Sequence, residues 1–216
     1  MTTLTTTEHG LELDEAFAEP ASEHVLQAAA DALRACGHVV LVVDGPAEAR
    51  TAVLDLLPPD GSVFTMSSET LKAAGLDAEI NTTGRYDAVR PRIYAMDYPA
   101  QQDEIRRLGA SADVVVGSVH AVTADGTLVT TSATGSQLGL YAFGAGAVVH
   151  VVGAQKLVPD LDTALRRIRL YSWPREDVRF RAEHDRPSTI GKTLITEREL
   201  IPGRSTIVLL RAAVGF

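Results

Sequence analysis

"ADVVVGSVHAVTADGTLVTTSATGSQLG", residues 112–139, is the stretch on which the fold turns. ADVVVGSVHAVT (112–123) reads as one long apolar strand, and TLVTTS (127–132) as a second strand running back. Between them Asp125-Gly126 is the strongest short hairpin signal, since a type I′ turn needs positive φ at both central positions. The return strand ends in small and hydroxylated residues, TSATGSQLG (131–139), and a helix is expected over 135–144.

Strands and helices alternate on both sides of this hairpin. Upstream, SEHVLQAAADALRACG (22–37) offers Ser22 as N-cap, Leu26, Ala29, Ala30 and Leu33 at helical spacing, and Gly37 as a stop. HVVLVV (38–43) reads as a strand buried on both faces. PAEARTAVLDLLP (46–58) is a helix opening with Pro46, SVFTM (62–66) a strand, SSETLKAAG (67–75) a capped helix and YPAQQDEIRRLGA (98–110) another helix. Downstream come AVVHVVG (147–153) as a buried strand, PDLDTALRRIRLYS (159–172) as a helix capped near Asp160, an Arg-rich connector, and RSTIVLLRAAVGF (204–216) as a closing strand. The alternation predicts the α/β class: a Rossmann-like three-layer sandwich with a mostly parallel sheet, helices on both faces, and one antiparallel hairpin. Residues 1–20, Thr-rich and aperiodic, are expected to form a flexible or loosely docked arm, and 21–216 a single domain.

Bulk properties narrow the function. With 216 residues, 45% of them hydrophobic and 22% charged, the chain supports one full core. A formal net charge of −8 argues against nucleic acid and anionic membrane as partners. No apolar run reaches the ~18 residues of a membrane span, and the N-terminus lacks the basic start and apolar core of a secretory signal, so a cytoplasmic location is expected. Cys36 is the only cysteine, which leaves no disulfide and no cysteine cage for zinc or an iron–sulfur cluster; it reads as a small buried thiol. The six histidines form no HxH or HExxH pair, and neither a metal nor a cofactor is expected.

In an open α/β sheet, ligands lie at the carboxyl ends of strands. Two segments fall there. In TMSSETL (65–71), Ser67 and Ser68 suit either an anion site or a plain helix cap, and Glu69 suits the first turn's dipole. In TSATGSQLG, Thr134, Gly135, Ser136 and Gln137 are candidate ligand contacts, although neither a Walker spacing nor GxGxxG is present. His120 interrupts an apolar strand just after Gly117 and Ser118, and is the candidate acid/base; a hydrogen-bonded core residue is the competing role. His150 reads as structural. Arg85, Arg90 and Arg92, in the loop-like NTTGRYDAVRPR (81–92), and Lys156, just past Gly153, are candidate counter-charges. The seven arginines between Arg166 and Arg186 read as a solvated or subunit-facing helix and connector.

Taken with its flanks, residues 112–168, the opening stretch resembles the lactate-utilisation (LUD-domain) family: an apolar strand, AVTADGTLV as its hairpin, TG at a helix start, a strand ending in VVG, then KLVPDLDTAL. GSVFTMSSETLKAAGL (61–76) is similar to the family's first strand–loop–helix. The resemblance implies the fold shared by glucosamine-6-phosphate deaminases, ribose-5-phosphate isomerases and CoA transferases. It also implies a place beside iron–sulfur proteins that oxidise L-lactate to pyruvate, with this chain as the cluster-free component. Three functions follow as alternatives. The chain is an accessory subunit binding a small anionic metabolite through Ser67, Ser68, Glu69, Arg85, Ser118, Thr134, Gly135, Ser136, Gln137 and Lys156. It is an isomerase or hydrolase of a phosphorylated or carboxylated metabolite with His120 as acid/base. Or it is a non-catalytic scaffold for redox partners. Sugar-phosphate isomerases of similar sequence carry an Asp where this chain has His120, so the usual carboxylate is missing. A homodimer is left open.

Overall fold

The computed structural model describes residues 4–98 and 100–216. Residues 1–3 of the expected arm, and Pro99 in the expected helix over 98–110, lie outside the described residues.

Twelve strands are described: β1 (Thr5–Thr6), β2 (Glu12–Leu13), β3 (Val39–Val43), β4 (Ser62–Thr65), β5 (Asp87–Ala88), β6 (Ala112–Gly117), β7 (Ala121–Thr123), β8 (Leu128–Ser132), β9 (Ala145–Gly153), β10 (Leu157–Val158), β11 (Lys192–Thr196) and β12 (Ser205–Leu210). The central sheet has the order β3-β12-β9-β6-β4-β5, and every pairing in it is parallel. This is the expected α/β sandwich with a parallel sheet. Alternation along the central strands sends Val114, Val116, Val149, Val151, Val208 and Leu210 to one face, against the helices over Pro46–Asp55, Glu69–Ala73 and Leu76–Thr82. The other face is covered by the helix Glu23–Ala35, through Leu26 and Leu33, and by a second, smaller sheet.

That smaller sheet corrects the reading of 112–123 as a single strand. The strand breaks after Gly117; β6 stays in the central sheet and β7 leaves it to pair antiparallel with β8. The break is built into Gly117, whose position leaves no room for a Cβ beside the Tyr141 hydroxyl and Met66. Gly117→Val is therefore expected to lose about 1–3 kcal/mol of stability in urea unfolding, with part recovered when Tyr141→Ala is added. Unchanged stability would show that the crossover is not so tightly packed.

The turn differs from expectation as well. Among its residues only Gly126 has positive φ (89°), so this is a three-residue loop with glycine in the left-handed position rather than a type I′ turn. Asp125 needs no positive φ because its carboxylate already accepts from the Thr127 N–H, at 3.3 Å, and from the Thr123 hydroxyl. The hairpin sheet has the order β10-β7-β8-β11. β11 falls in what the sequence presents as an Arg-rich connector, and pairs antiparallel with β8.

Other elements differ in extent. β3 lies at an edge of the central sheet with Val39 exposed, not buried on both faces. The loop-like 81–92 contains the end of the helix Leu76–Thr82 and most of the helix Val89–Tyr94. The helix expected over 159–172 begins at Leu161, capped by Asp160, and continues as Leu161–Arg167, a π-helical turn Ile168–Ser172 and Trp173–His184. Pro174 accounts for the π turn: it has no N–H for the Leu170 carbonyl, and the extra residue relieves its clash with the turn before. Asp14 takes up that freed carbonyl, donating its N–H to Leu170 O at 2.7 Å, while its carboxylate meets Arg166 at 3.0 Å. The described part of the N-terminal arm is thus docked, with Asp14 buried.

Candidate functional site

The segment Gly117–His120, where the chain crosses from one sheet to the other, gathers the polar groups that no structural requirement explains. Three elements meet there: the carboxyl end of β6, the 3-10 turn Ala154–Lys156 that follows β9, and the last turn of the helix Leu161–Arg167.

Ser118 is fixed by donating its hydroxyl proton to Val151 O at 2.7 Å. Its oxygen accepts from Lys156 Nζ at 2.9 Å, and a second N–H of Lys156 goes to Thr70 Oγ1 at 3.0 Å. Thr70 in turn donates to Val214 O at 3.2 Å. Lys156 is only 1% exposed, and among the described residues it meets no carboxylate. Burial, and then the charge of Arg167, hold its amine well below the ordinary lysine range.

Arg167 is 0% exposed. Nε donates to Gln155 O at 3.1 Å and Nη1 to Ser172 Oγ at 2.9 Å and to His120 O. The contact with Ser172, five residues on, follows from the π turn. Burial lowers the guanidinium to about 10, so it remains charged at neutral pH. Among the described residues no carboxylate pairs with it, and its Nη2 is buried without a hydrogen-bond partner. Its guanidinium stacks 5.0 Å from the Tyr171 ring centroid, with Arg175 at 4.8 Å from the same centroid. A buried charge is normally paired, so an unpaired one with a free donor requires an explanation.

His120 is half-buried at the rim. Its Nδ1 accepts the Thr131 N–H at 3.1 Å, so a neutral ring carries its proton on Nε2. Burial above all, with the charge of Arg167 beside it, pushes it down to about 3. At neutral pH it therefore offers an N–H donor and has no free basic nitrogen.

The sequence candidates divide accordingly. Ser118, His120 and Lys156 come together at this crossover. Ser68 caps its helix by accepting the Leu71 N–H at 3.4 Å, and Glu69 pairs with Lys72 at 2.8 Å and lies 3.7 Å from Arg179. Ser67 precedes that cap and is exposed. Arg85 is largely exposed and bonded to Glu79 at 2.9 Å, Arg90 pairs with Asp77, and Arg92 with Asp87. Thr134, Gly135, Ser136 and Gln137 form a turn closed on itself. Thr134 donates to Ser136 Oγ at 3.2 Å, Gly135 takes φ 88°, and Gln137 Nε2 donates to Thr131 O at 2.9 Å. Its one link to the crossover is Thr131. Glu69 and Arg85 are consumed by ion pairs with Lys72 and Glu79, and the 134–137 turn by local hydrogen bonds, since short polar side chains at helix starts satisfy nearby groups first.

Sequence reasoning passed over Thr70, Gln155 and Arg167. Arg167 was readable: Ala164, Ile168 and Tyr171 mark a buried stripe at helical spacing, and Arg167 lies on that stripe rather than on the solvated face.

A polar pocket lies between the sheets. His38, His150, Tyr141, Arg204 and Glu199 line a cavity with room for one water molecule. His38 Nδ1 bonds Ser205 Oγ at 2.8 Å, Arg204 pairs with Glu199 at 2.7 Å, and His38 Nε2 and His150 Nδ1 have no partner among the described residues. Among the described residues no set of three His, Cys, Asp or Glu side chains is arranged to hold a metal ion. No described helix is long and apolar enough to cross a membrane.

Comparison with known proteins gives a consistent picture. The family model described as the LUD domain matches residues 26–210. No curated protein matches. Among solved structures, a crystal structure of a DUF162 family protein from Deinococcus radiodurans is similar, at 16% identity and a TM-score of 0.53, over 88% of this chain and 99% of that one.

Proposed function

The chain belongs to the LUD-domain family, and from that premise we propose that it binds a small carboxylate- or phosphate-bearing metabolite at the Gly117–His120 crossover. In this reading it is a cytoplasmic, cluster-free accessory component of lactate or other organic-acid utilisation, and iron–sulfur partner proteins carry the redox chemistry.

The observation that carries the proposal is Arg167: buried, charged, without a carboxylate and with Nη2 unpartnered. Removing a guanidinium from water without a counter-charge is strongly unfavourable, and an anionic ligand supplies that counter-charge through the two N–H bonds left on Nη2. His120 Nε2–H adds a neutral donor at the rim. This neutral donor role replaces the acid/base role as the reading of His120, because Nδ1 is occupied and the ring stays unprotonated at neutral pH. The scaffold alternative gives Arg167 no task.

The test is a melting-temperature screen of the full chain with L-lactate, pyruvate, inorganic phosphate and ribose 5-phosphate, followed by calorimetry. At a hundred times its dissociation constant, a true ligand adds about 2.7 kcal/mol of stability. His120→Ala, at the half-buried rim, is expected to fold and to weaken binding about tenfold, and Arg167→Met to abolish it. If no anion shifts the melting temperature or releases heat, the scaffold reading takes its place.

A further inference from the structure

Lys156 has more order around it than an electrostatic contact requires. The Ser118 and Thr70 hydroxyls both spend their protons on backbone carbonyls, Val151 O and Val214 O, so toward Lys156 each can only accept. Two acceptors match the two N–H bonds of a neutral amine and leave its lone pair unengaged. An ammonium would carry a third N–H with no partner at a residue 1% exposed. Burial and the Arg167 charge favour the same neutral form. Arg167 bonds the backbone of Gln155, next to Lys156, and of His120, two residues from Ser118, so guanidinium and amine flank one short piece of chain.

We propose that Lys156 is a nucleophile that forms an imine with the carbonyl carbon of an aldehyde or ketone whose carboxylate is held by Arg167. This rests on the anion reading above and adds a covalent step to it. The nitrogen lone pair attacks the carbonyl carbon, and a proton passes from nitrogen to the former carbonyl oxygen, giving a carbinolamine. Loss of that oxygen as water, with the second amine proton, leaves the C=N bond. Substrate carbonyl and amine thus become imine and water, with no oxidant or reductant. The Ser118 and Thr70 oxygens hold the nitrogen in place before attack, and His120 Nε2–H at the rim is a donor for the carbonyl oxygen. Ser118 and His120 are the partly exposed members of the group. On the opposite side Gln155 clamps the segment Val214–Gly215, donating to both carbonyls at 2.9 Å.

The test incubates the full chain with pyruvate and cyanoborohydride, which delivers hydride to an imine carbon and fixes it as a secondary amine. Intact mass and peptide mapping then locate the adduct. The chain has only three lysines, and Lys72 and Lys192 serve as internal controls. Lys72 is held protonated chiefly by its hydrogen bond to Glu69, and Lys192 donates to Thr134 O at 2.8 Å. The expected result is one adduct, at Lys156, at least about tenfold above either control, none with L-lactate, and none in Lys156→Met. Ser118→Ala should slow labelling several-fold while circular dichroism stays unchanged. Pyruvate binding by calorimetry without an adduct at Lys156 overturns the imine and leaves the anion reading standing. Neither heat nor adduct overturns both.

Discussion

Lys156→Met is expected to raise the melting temperature of the ligand-free protein while abolishing any carbonyl adduct. Methionine nearly matches lysine in length and volume, and the Ser118 and Thr70 hydroxyls keep their bonds to Val151 O and Val214 O. What disappears is a desolvated amine beside a desolvated guanidinium. Replacing a buried, poorly compensated ionisable group with a well-packed apolar side chain commonly adds about 1–4 kcal/mol. For a chain of this size that is roughly 2–4 °C per kcal/mol. The pH dependence identifies the cause. The folded-state value of Lys156 lies below its unfolded value, so the unfolded chain binds the extra proton. The penalty shrinks as pH rises from that lowered value toward the ordinary one near 10.4, and the wild-type protein gains up to about 1.4 kcal/mol per pH unit across that window. The variant should lose that slope. A fall of several kcal/mol in Lys156→Met would mean that the amine is a paired structural cation instead.

The wild-type protein is also expected to be acid-labile well before its carboxylates titrate. His120 and His150 are both pushed down to about 3. Burial is the main cause for each, reinforced at His120 by the charge of Arg167 and at His150 by that of Arg204. His38 is lowered too, by burial, with Glu199 partly opposing. For each, the folded value lies below the unfolded value of about 6.5, so the unfolded chain takes up protons first. For His120 and His150 the stability is fully present above pH 6.5 and is lost as pH falls toward 3, at about 1.4 kcal/mol per unit for each. The two together remove about 2–3 kcal/mol between pH 6 and 5, a large share of the ~5–15 kcal/mol that holds a domain folded, and His38 acts in the same direction. Melting curves at pH 7.5, 6.5, 5.5 and 4.5 measure the slope, and His150→Leu should reduce it by up to about one half. A melting temperature flat down to pH 4.5 would contradict the assignment of these histidines as neutral in the folded protein.

The parallel sheet was legible because strands covered on both sides appear as unbroken apolar runs, as in AVVHVVG and STIVLL, between helices with clear caps such as Ser22 and Asp160. The break at Gly117 was not, because apolar residues continue past it: Val116 belongs to the central sheet, and Val119 and Val122 to the packing of the smaller one. β11 was hidden because Lys192–Thr196 is mostly half-buried or exposed and flanked by charge. At the crossover, strand-end position singled out Ser118 and Lys156, which the fold brings within hydrogen-bond distance, since a residue just past a buried strand has few places to go. The same logic selected Thr134–Gln137, which turned out to bond among themselves and to Thr131. Arg167 was lost in an Arg-rich run whose charge suggested solvent, although its phase on the helix matched Ala164, Ile168 and Tyr171.

The central claim is that the sheet crossover, with Arg167 unpaired beneath it, is an anion site. The most direct measurement is an amide NMR titration of the full chain with pyruvate and with inorganic phosphate. Saturable shifts are expected for Ser118–His120, Gln155–Lys156 and Arg167–Ser172, lost in Arg167→Met. Saturable shifts centred on the 134–137 turn or on the Ser67–Glu69 helix start, with the crossover unmoved, would contradict it.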